Sequence, residues 1–253
     1  MPATPAWPPR SSPRLFVSQP VESGAAITVK GNAAHYLGKV MRTQPGDAVI
    51  VCDDITGEWA CRVLEVSKRS VTLQPAERLR EREEVPDLWL CPALLKKDRF
   101  DIVLEKATEL GVRAIHPFVA RRSVADKLNS SRARNIVTEA AEQCARTALP
   151  QLHEPVRLTA LLADWPPERA LFFADEMGGE PAAAAFTAHS GPAALLIGPE
   201  GGFDDAERQA IAAHPAARAL TLGPRILRGE TAAIAATALW MGCMGDWRGG
   251  GPE

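Results

Sequence analysis

Along the first third of the chain, apolar residues come in short runs that alternate with polar ones. Leu15-Phe16-Val17, Ala26–Val29, Ala48–Val51, Trp59–Val66 and Ser70–Leu73 each fit a strand. Ser23-Gly24, Pro45-Gly46-Asp47, Ile55-Thr56-Gly57 and Lys68-Arg69 read as the turns between them. Asn32 to Met41 reads as one short helix. Many short strands joined by tight turns predict a small β-barrel. The charged run ERLREREEVP, residues 77–86, reads as a solvated linker. After it the pattern changes. Nearly continuous apolar runs at Leu88–Leu94, Ala114–Val119, Ala170–Ala174, Ala193–Ile197 and Ala219–Leu222 read as strands. Between them, helical spacing covers Asp98–Leu110 with Gly111 as its cap, a helix from N-cap Ser131 to about Thr147, Asp204–Ala213 and Thr231–Met241. This alternation predicts a mostly parallel α/β sheet. The expected organisation is a disordered Pro-rich leader at 1–13, a β-barrel domain at 14–76, the linker at 77–86 and an α/β domain at 87–248.

Two loops stand out in the α/β part. The strand ending at Ile197 runs into Gly198, Pro199, Glu200, Gly201 and Gly202, and Asp204 with Glu207 then has the spacing of a capping box. The strand ending at Leu222 runs into Gly223-Pro224-Arg225-Ile226-Leu227-Arg228. Open α/β sheets bind ligands beyond the carboxyl ends of their strands, where glycine lets backbone approach a ligand. Neither loop is GxGxxG or a P-loop, so dinucleotide and nucleoside triphosphate sites are poorly supported. An apolar patch flanked by arginines suits a flat base or thioether together with an anion. An ordinary strand-to-helix connection remains the alternative for each loop.

Composition narrows the class. The chain has 253 residues, 46% of them hydrophobic and 24% charged, with a formal net charge of −2. That suits a water-soluble protein with a real core. No apolar run approaches the roughly 20 residues that span a bilayer, so no membrane partner is expected. Residues 1–82 carry 11 Lys and Arg against 8 Asp and Glu, a mild excess compatible with a phosphate-facing surface. The five cysteines show no CxxC spacing, so buried reduced thiols in a cytoplasmic protein and no metal site are expected. His116 and His153 read as structural. Glu139, Glu142, Gln143 and Arg146 share a helical stripe that fits either a salt-bridged face or a site edge.

Four motifs in one order carry a resemblance: LEKATELGV at 104–112, EAAEQCAR at 139–146, IGPEGGF at 197–203 with Glu207, and LGPRILRGETA at 222–232. With HYLGKVMRTQPGD at 35–47, they make the chain similar, from about Arg14 to Trp240, to the 16S ribosomal RNA uridine N3-methyltransferases of the SPOUT class. The resemblance implies an α/β domain with a deep trefoil knot, a PUA-like β-barrel and a homodimer. It implies an S-adenosylmethionine pocket formed by Ile197, Gly198, Pro199, Glu200, Gly201, Gly202, Leu222, Gly223, Ile226 and Leu227. The substrate would be 16S ribosomal RNA or the small ribosomal subunit. The family usually has Thr where this chain has Gly229, and glycine would be a weaker cap for the last helix.

Methylating N3 of uracil requires loss of its proton and stabilisation of the resulting anion. Arg228 is the first candidate for the cation, with Arg14 as a partner on the RNA side. Glu200 would favour the sulfonium or act as base. On the short helix, His35, Tyr36, Lys39 and Arg42 suit phosphate contact and base stacking. The competing readings are an RNA-binding ribosome-assembly factor without methyl transfer and a small-molecule methyltransferase, which would leave the β-domain idle.

Overall fold

The structure is a computed structural model and describes residues 7–249. It divides into two compact units. One takes the chain up to Glu84 together with Ala141–Leu149, the other Val85–Ala140 and the chain from Pro150 on.

In the first unit, β1 (Arg14–Phe16), β2 (Ile27–Lys30), β3 (Ala48–Cys52), β4 (Glu58–Val66) and β5 (Ser70–Arg80) form a sheet in the order β1-β3-β4-β5-β2. Only the β1–β3 pair is parallel. The alternating pattern delivers Leu15, Ile27, Val29, Val49, Val51, Val63, Val71 and Leu73 to one core. β5 continues through Glu77–Arg80, where a linker was expected. Buried Glu58 explains this: its carboxylate accepts from Arg14 Nε at 2.7 Å and from Arg80 Nε at 2.8 Å. Gly57, at φ +106°, lets the Arg80 carbonyl close over it, and a Cβ there would overlap that carbonyl.

The expected helix 32–41 is in fact α1 (Gly31–His35) followed by one π turn, Tyr36–Val40, in which Met41 N–H donates to the Tyr36 carbonyl at 2.9 Å. The Leu37 carbonyl accepts from both the N–H and the hydroxyl of buried Thr43, which draws the chain out of the helix. Part of the expected disordered leader is also placed. The Arg62 guanidinium lies 4.9 Å over the Trp7 ring, and Ile50 N–H donates to the Pro13 carbonyl. Residues 1–6 of that leader lie outside the described residues.

The second unit is built on a seven-stranded, wholly parallel sheet. Its strands are β6 (Leu88–Pro92), β7 (Ala114–Ile115), β9 (Gln151–Leu152), β11 (Ala170–Ala174), β12 (Glu180–Pro181), β13 (Ala193–Ile197) and β14 (Ala217–Thr221), in the order β12-β14-β11-β13-β6-β7-β9. β8 (Phe118–Val119) and β10 (Val156–Arg157) form a separate parallel pair. The helices are α2 (Lys97–Glu109), α3 (Ser130–Cys144), α4 (Leu158–Ala163), α5 (Ala182–Thr187), α6 (Asp205–Ala212) and α7 (Gly229–Cys243). Every residue of β13 is buried, as its unbroken apolar run requires.

Three local expectations change. The strand expected at 114–119 is split at His116-Pro117, where proline offers no N–H to continue a ladder. Asn129 caps α3, its Oδ1 accepting from Arg132 N–H at 3.0 Å, two residues before the expected Ser131. Gly229 is the first residue of α7 and not its cap. A Cβ there would sit 3.1 Å from Leu95 Cδ2 and 3.3 Å from the Gly198 carbonyl, so Leu95 fills the space a side chain would need.

From Ala141 the last turn of α3 groups with the first unit. There Glu142 accepts from Phe16 N–H at 2.8 Å and buried Arg146 lies 3.7 Å from Glu83, so these members of the helical stripe serve structure. Cys52, Cys61 and Cys91 are buried, whereas Cys243 is half-buried and Cys144 exposed where buried thiols were expected. Among those residues no helix is long and apolar enough to cross a membrane.

Candidate functional site

Both Gly-Pro loops follow parallel strands, β13 and β14, that flank β11, and both line one cavity of about 290 Å³. Of the residues expected to bind a cofactor, Ile197, Gly198, Pro199, Glu200, Gly202, Leu222, Gly223, Ile226 and Leu227 line it, and so does Arg228. Gly201 does not. It backs onto Arg122, whose Nη1 donates to the Gly201 carbonyl at 3.0 Å.

The first loop is rigid for reasons internal to the protein. Gly202 N–H closes a turn onto the Pro199 carbonyl at 2.9 Å. Gly202 sits at φ +68°, and a Cβ there would come within 3.0 Å of Glu176 Oε1. Asp204 and Glu207 form the expected capping box: Asp204 Oδ1 accepts from Glu207 N–H at 2.7 Å and Glu207 Oε2 accepts from Asp204 N–H at 3.2 Å. Glu207 is buried and its other oxygen accepts from Arg121 N–H at 2.8 Å. The Glu207 N–H, helped by Arg121, holds the Asp204 carboxyl below its usual range against a smaller desolvation cost.

In the second loop, Gly223 N–H donates to Thr221 Oγ1 at 3.2 Å. Arg228 is the N-cap of α7 without a side-chain cap bond. Ile226 is 88% exposed. Among the described residues no carboxylate pairs with Arg225 or Arg228, so both cations are uncommitted at the cavity.

Arg99, Asp175, Glu176 and Arg208 also line the cavity, and the sequence reading missed all four. Arg99, in the first turn of α2, lies 3.6 Å from Glu200 and 3.8 Å from Glu230. Arg208 Nη2 donates to Asp175 Oδ1 at 2.6 Å. Asp175 directly follows β11, so the strand-end rule could have found it. Arg99 and Arg208 sit inside helical patterns with no local signal.

The sequence matches the family model for an RNA methyltransferase domain over residues 81–241 and that for an RNA methyltransferase PUA domain over residues 29–76. The chain belongs to the RNA methyltransferase family. This RNA methyltransferase is 32% identical over 241 residues to ribosomal RNA small subunit methyltransferase E of Bacillus subtilis, covering 87% of this chain and 93% of that relative. Its fold is similar to a solved ribosomal RNA small subunit methyltransferase E from Neisseria gonorrhoeae bound to S-adenosyl methionine. The TM-score is 0.85 at 27% identity, over 93% of this chain and 99% of that one. A methyltransferase from Legionella pneumophila in complex with bound SAM gives 0.83 at 28% identity, over 93% of this chain and 99% of that one.

In the PUA-matched part of this RNA methyltransferase, His35 and Lys39 are exposed on α1 and the π turn and Arg42 is exposed two residues past that turn, with Tyr36 half-buried against the core. Arg14, in the same unit, is committed to Glu58. Elsewhere in the methyltransferase unit, His153 stacks on His116 at 3.9 Å, His116 on Trp89 at 4.1 Å, and the Arg169 guanidinium lies 3.8 Å over Trp89. Burial, then the facing His153 ring and Arg169, push His116 down to about 3, and burial lowers His153 as well. Among the described residues no cluster of three or more His, Cys, Asp or Glu could hold a metal ion.

Proposed function

We propose that this enzyme methylates N3 of a uridine in 16S ribosomal RNA, with S-adenosylmethionine as the methyl donor, and that it works in the cytoplasm as a homodimer. The observation that carries the reading is the single cavity lined by two strand-end loops of opposite character. Leu222, Ile226 and Leu227 offer an apolar wall for an adenine or thioether. Glu200, Asp175 and Glu176 offer carboxylates to a sulfonium, an ammonium and ribose hydroxyls. The solved relatives that bind S-adenosylmethionine share this fold. We place in the same proposal a deep trefoil knot around the cavity and closure of the first unit's sheet into a PUA-like barrel.

The donor supplies a methyl group on a sulfonium. The remaining work falls to the chain. Glu200 takes the N3 proton, or stabilises the positive charge of the donor while solvent takes that proton. Arg228 faces the negative charge that the uracil oxygens carry once N3 has lost its proton, a charge that is neutralised as N3 takes the methyl group. His35, Tyr36, Lys39 and Arg42 hold the RNA. Arg14 stays in the reading as an RNA-side contact through its edge not turned to Glu58.

The test is incubation with tritiated S-adenosylmethionine and unmodified small ribosomal subunits, followed by nucleoside analysis. Labelled N3-methyluridine is expected. Cofactor binding without any label would overturn the reaction and favour an RNA-binding assembly factor.

A further inference from the structure

The carboxyl edge of the parallel sheet holds more than the cavity. β8 follows β6 in parallel through the Ala93–Phe118 bridge, so the chain leaving β8 emerges on the same edge as the 198–203 loop. Residues 120–129 then form a long segment without helix or strand before α3. A connection of that length inside a compact unit calls for a reason. Its composition supplies one. Arg121, Arg122, Lys127, Arg132 and Arg134 fall between residues 121 and 134, all exposed, with Asp126 as the one acid of the segment, in a chain of net charge −2. Arg121 is 71% exposed although it pairs with Asp204 at 3.0 Å. Arg132 pairs with Asp101 and Arg134 with Glu154, both at the surface, where such pairs yield readily to a stronger anion.

Glu154 also accepts from Ser130 Oγ at 2.7 Å, which sets the neighbouring residue, His153, beside the start of α3. The inner face of the His153 ring is occupied by His116, backed in turn by Trp89 and Arg169. His153 itself is exposed, so the column of planar groups ends at solvent on a held ring. A fixed exposed ring next to a run of cations is the pairing that binds single-stranded nucleic acid.

We propose that the carboxyl edge of the second unit carries an RNA-docking strip beside the cavity, which takes phosphodiester oxygens on Arg121, Lys127, Arg132 and Arg134 and one unstacked base on the outer face of His153. The inference rests on RNA being the substrate, and it adds a contact surface to the methyltransferase unit itself. The strip also touches the cavity loop from behind. Arg122 donates to the Gly201 carbonyl, and Arg121 donates to Glu207 and Asp204, so bound RNA and the cavity wall share Arg121.

The test measures binding of a fluorescent fragment of small-subunit ribosomal RNA, and of an unrelated RNA of equal length, across a salt series. S-adenosylmethionine affinity and methyl transfer are recorded in parallel. Lys127→Ala/Arg134→Ala is expected to raise the RNA Kd about tenfold near 0.1 M salt and to flatten the log–log salt slope by about 1.5, for two lost phosphate contacts. S-adenosylmethionine affinity stays within about twofold. His153→Ala is expected to raise the Kd about tenfold while His153→Phe, which keeps a planar ring, stays within about threefold of the parent. An unchanged Kd and slope in the double variant overturns the strip, and His153→Phe binding no better than His153→Ala overturns the stacking contact. Loss of an oligomer in the double variant, seen by sedimentation, would make the surface a protein contact and also overturn the strip. RNA binding with the expected pattern but no methyl transfer leaves the strip standing and counts against the proposed reaction alone.

Discussion

Residues 198–203 and 222–228 each begin with Gly-Pro or run into it, each follow a parallel strand and each line the same cavity, yet they are held very differently. The first is closed by its own turn, capped by Asp204 and Glu207, and gripped from behind by Arg121 and Arg122. The second is tied to the Thr221 hydroxyl by two hydrogen bonds, both at Gly223, leaves α7 without a side-chain cap, and exposes Ile226, Arg225 and Arg228. Glycine serves a different end in each. At Gly202 it fits the backbone against Glu176, whereas a Cβ at Gly223 would meet nothing within 4 Å. The first loop is a finished wall. The second, in the proposed reading, is a wall that the donor would complete. A site that positions a donor needs the former, and one that admits and releases it needs the latter.

The largest effect should come from the unfastened loop. Arg228→Ala is expected to lower kcat about 100-fold with little change in S-adenosylmethionine affinity, read by single-turnover methylation. An unchanged kcat would remove Arg228 from the chemistry. The fastened loop should instead respond in stability. Glu207→Ala breaks the bonds from Asp204 and Arg121 to a buried carboxylate and should cost about 2–3 kcal/mol in denaturant unfolding, with weaker cofactor binding in consequence. A change under about 0.5 kcal/mol would mean that the brace is idle.

Acid should separate the two kinds of support. His116 is held neutral when folded, so the unfolded chain binds the extra proton. The stability this contributes is complete above pH 6.5 and is lost as pH falls from there toward about 3. Partial exposure of the ring limits the loss to roughly 2 kcal/mol. The Asp204 cap is a lowered carboxyl, present above pH 3.8 and lost only below it. Thermal unfolding followed from pH 7.5 to 4 should therefore weaken while amide exchange at Glu207 stays slow. Early release of that amide would contradict the assignment. The smallest stability effect belongs to Ile226→Ser, within about 0.5 kcal/mol because the side chain is already in water. Its S-adenosylmethionine Kd should nevertheless rise about five- to tenfold.

The strands, the capping box and the first wall of the cavity were legible because each leaves a local trace: an unbroken apolar run, a cap at fixed spacing, a cluster of glycines. β11 and β13 span the residues their patterns indicate. What could not be read depends on distant partners. Leu37 and Thr43 turn part of a helix into a π turn, Glu58 draws β5 out to Arg80, and Leu95 decides what residue 229 can be. Arg99 and Arg208 reach the cavity from helices whose spacing speaks only of packing. Arg14 looked free in sequence and is claimed by a carboxylate 44 positions away.

The most direct measurement is amide hydrogen exchange with and without S-adenosylmethionine, resolved over the two loops. Strong slowing across 222–228, with a smaller change across the already protected 198–203, is the predicted result. Unchanged exchange at both loops, with the cofactor bound and protection appearing elsewhere, would contradict the assignment of the cavity.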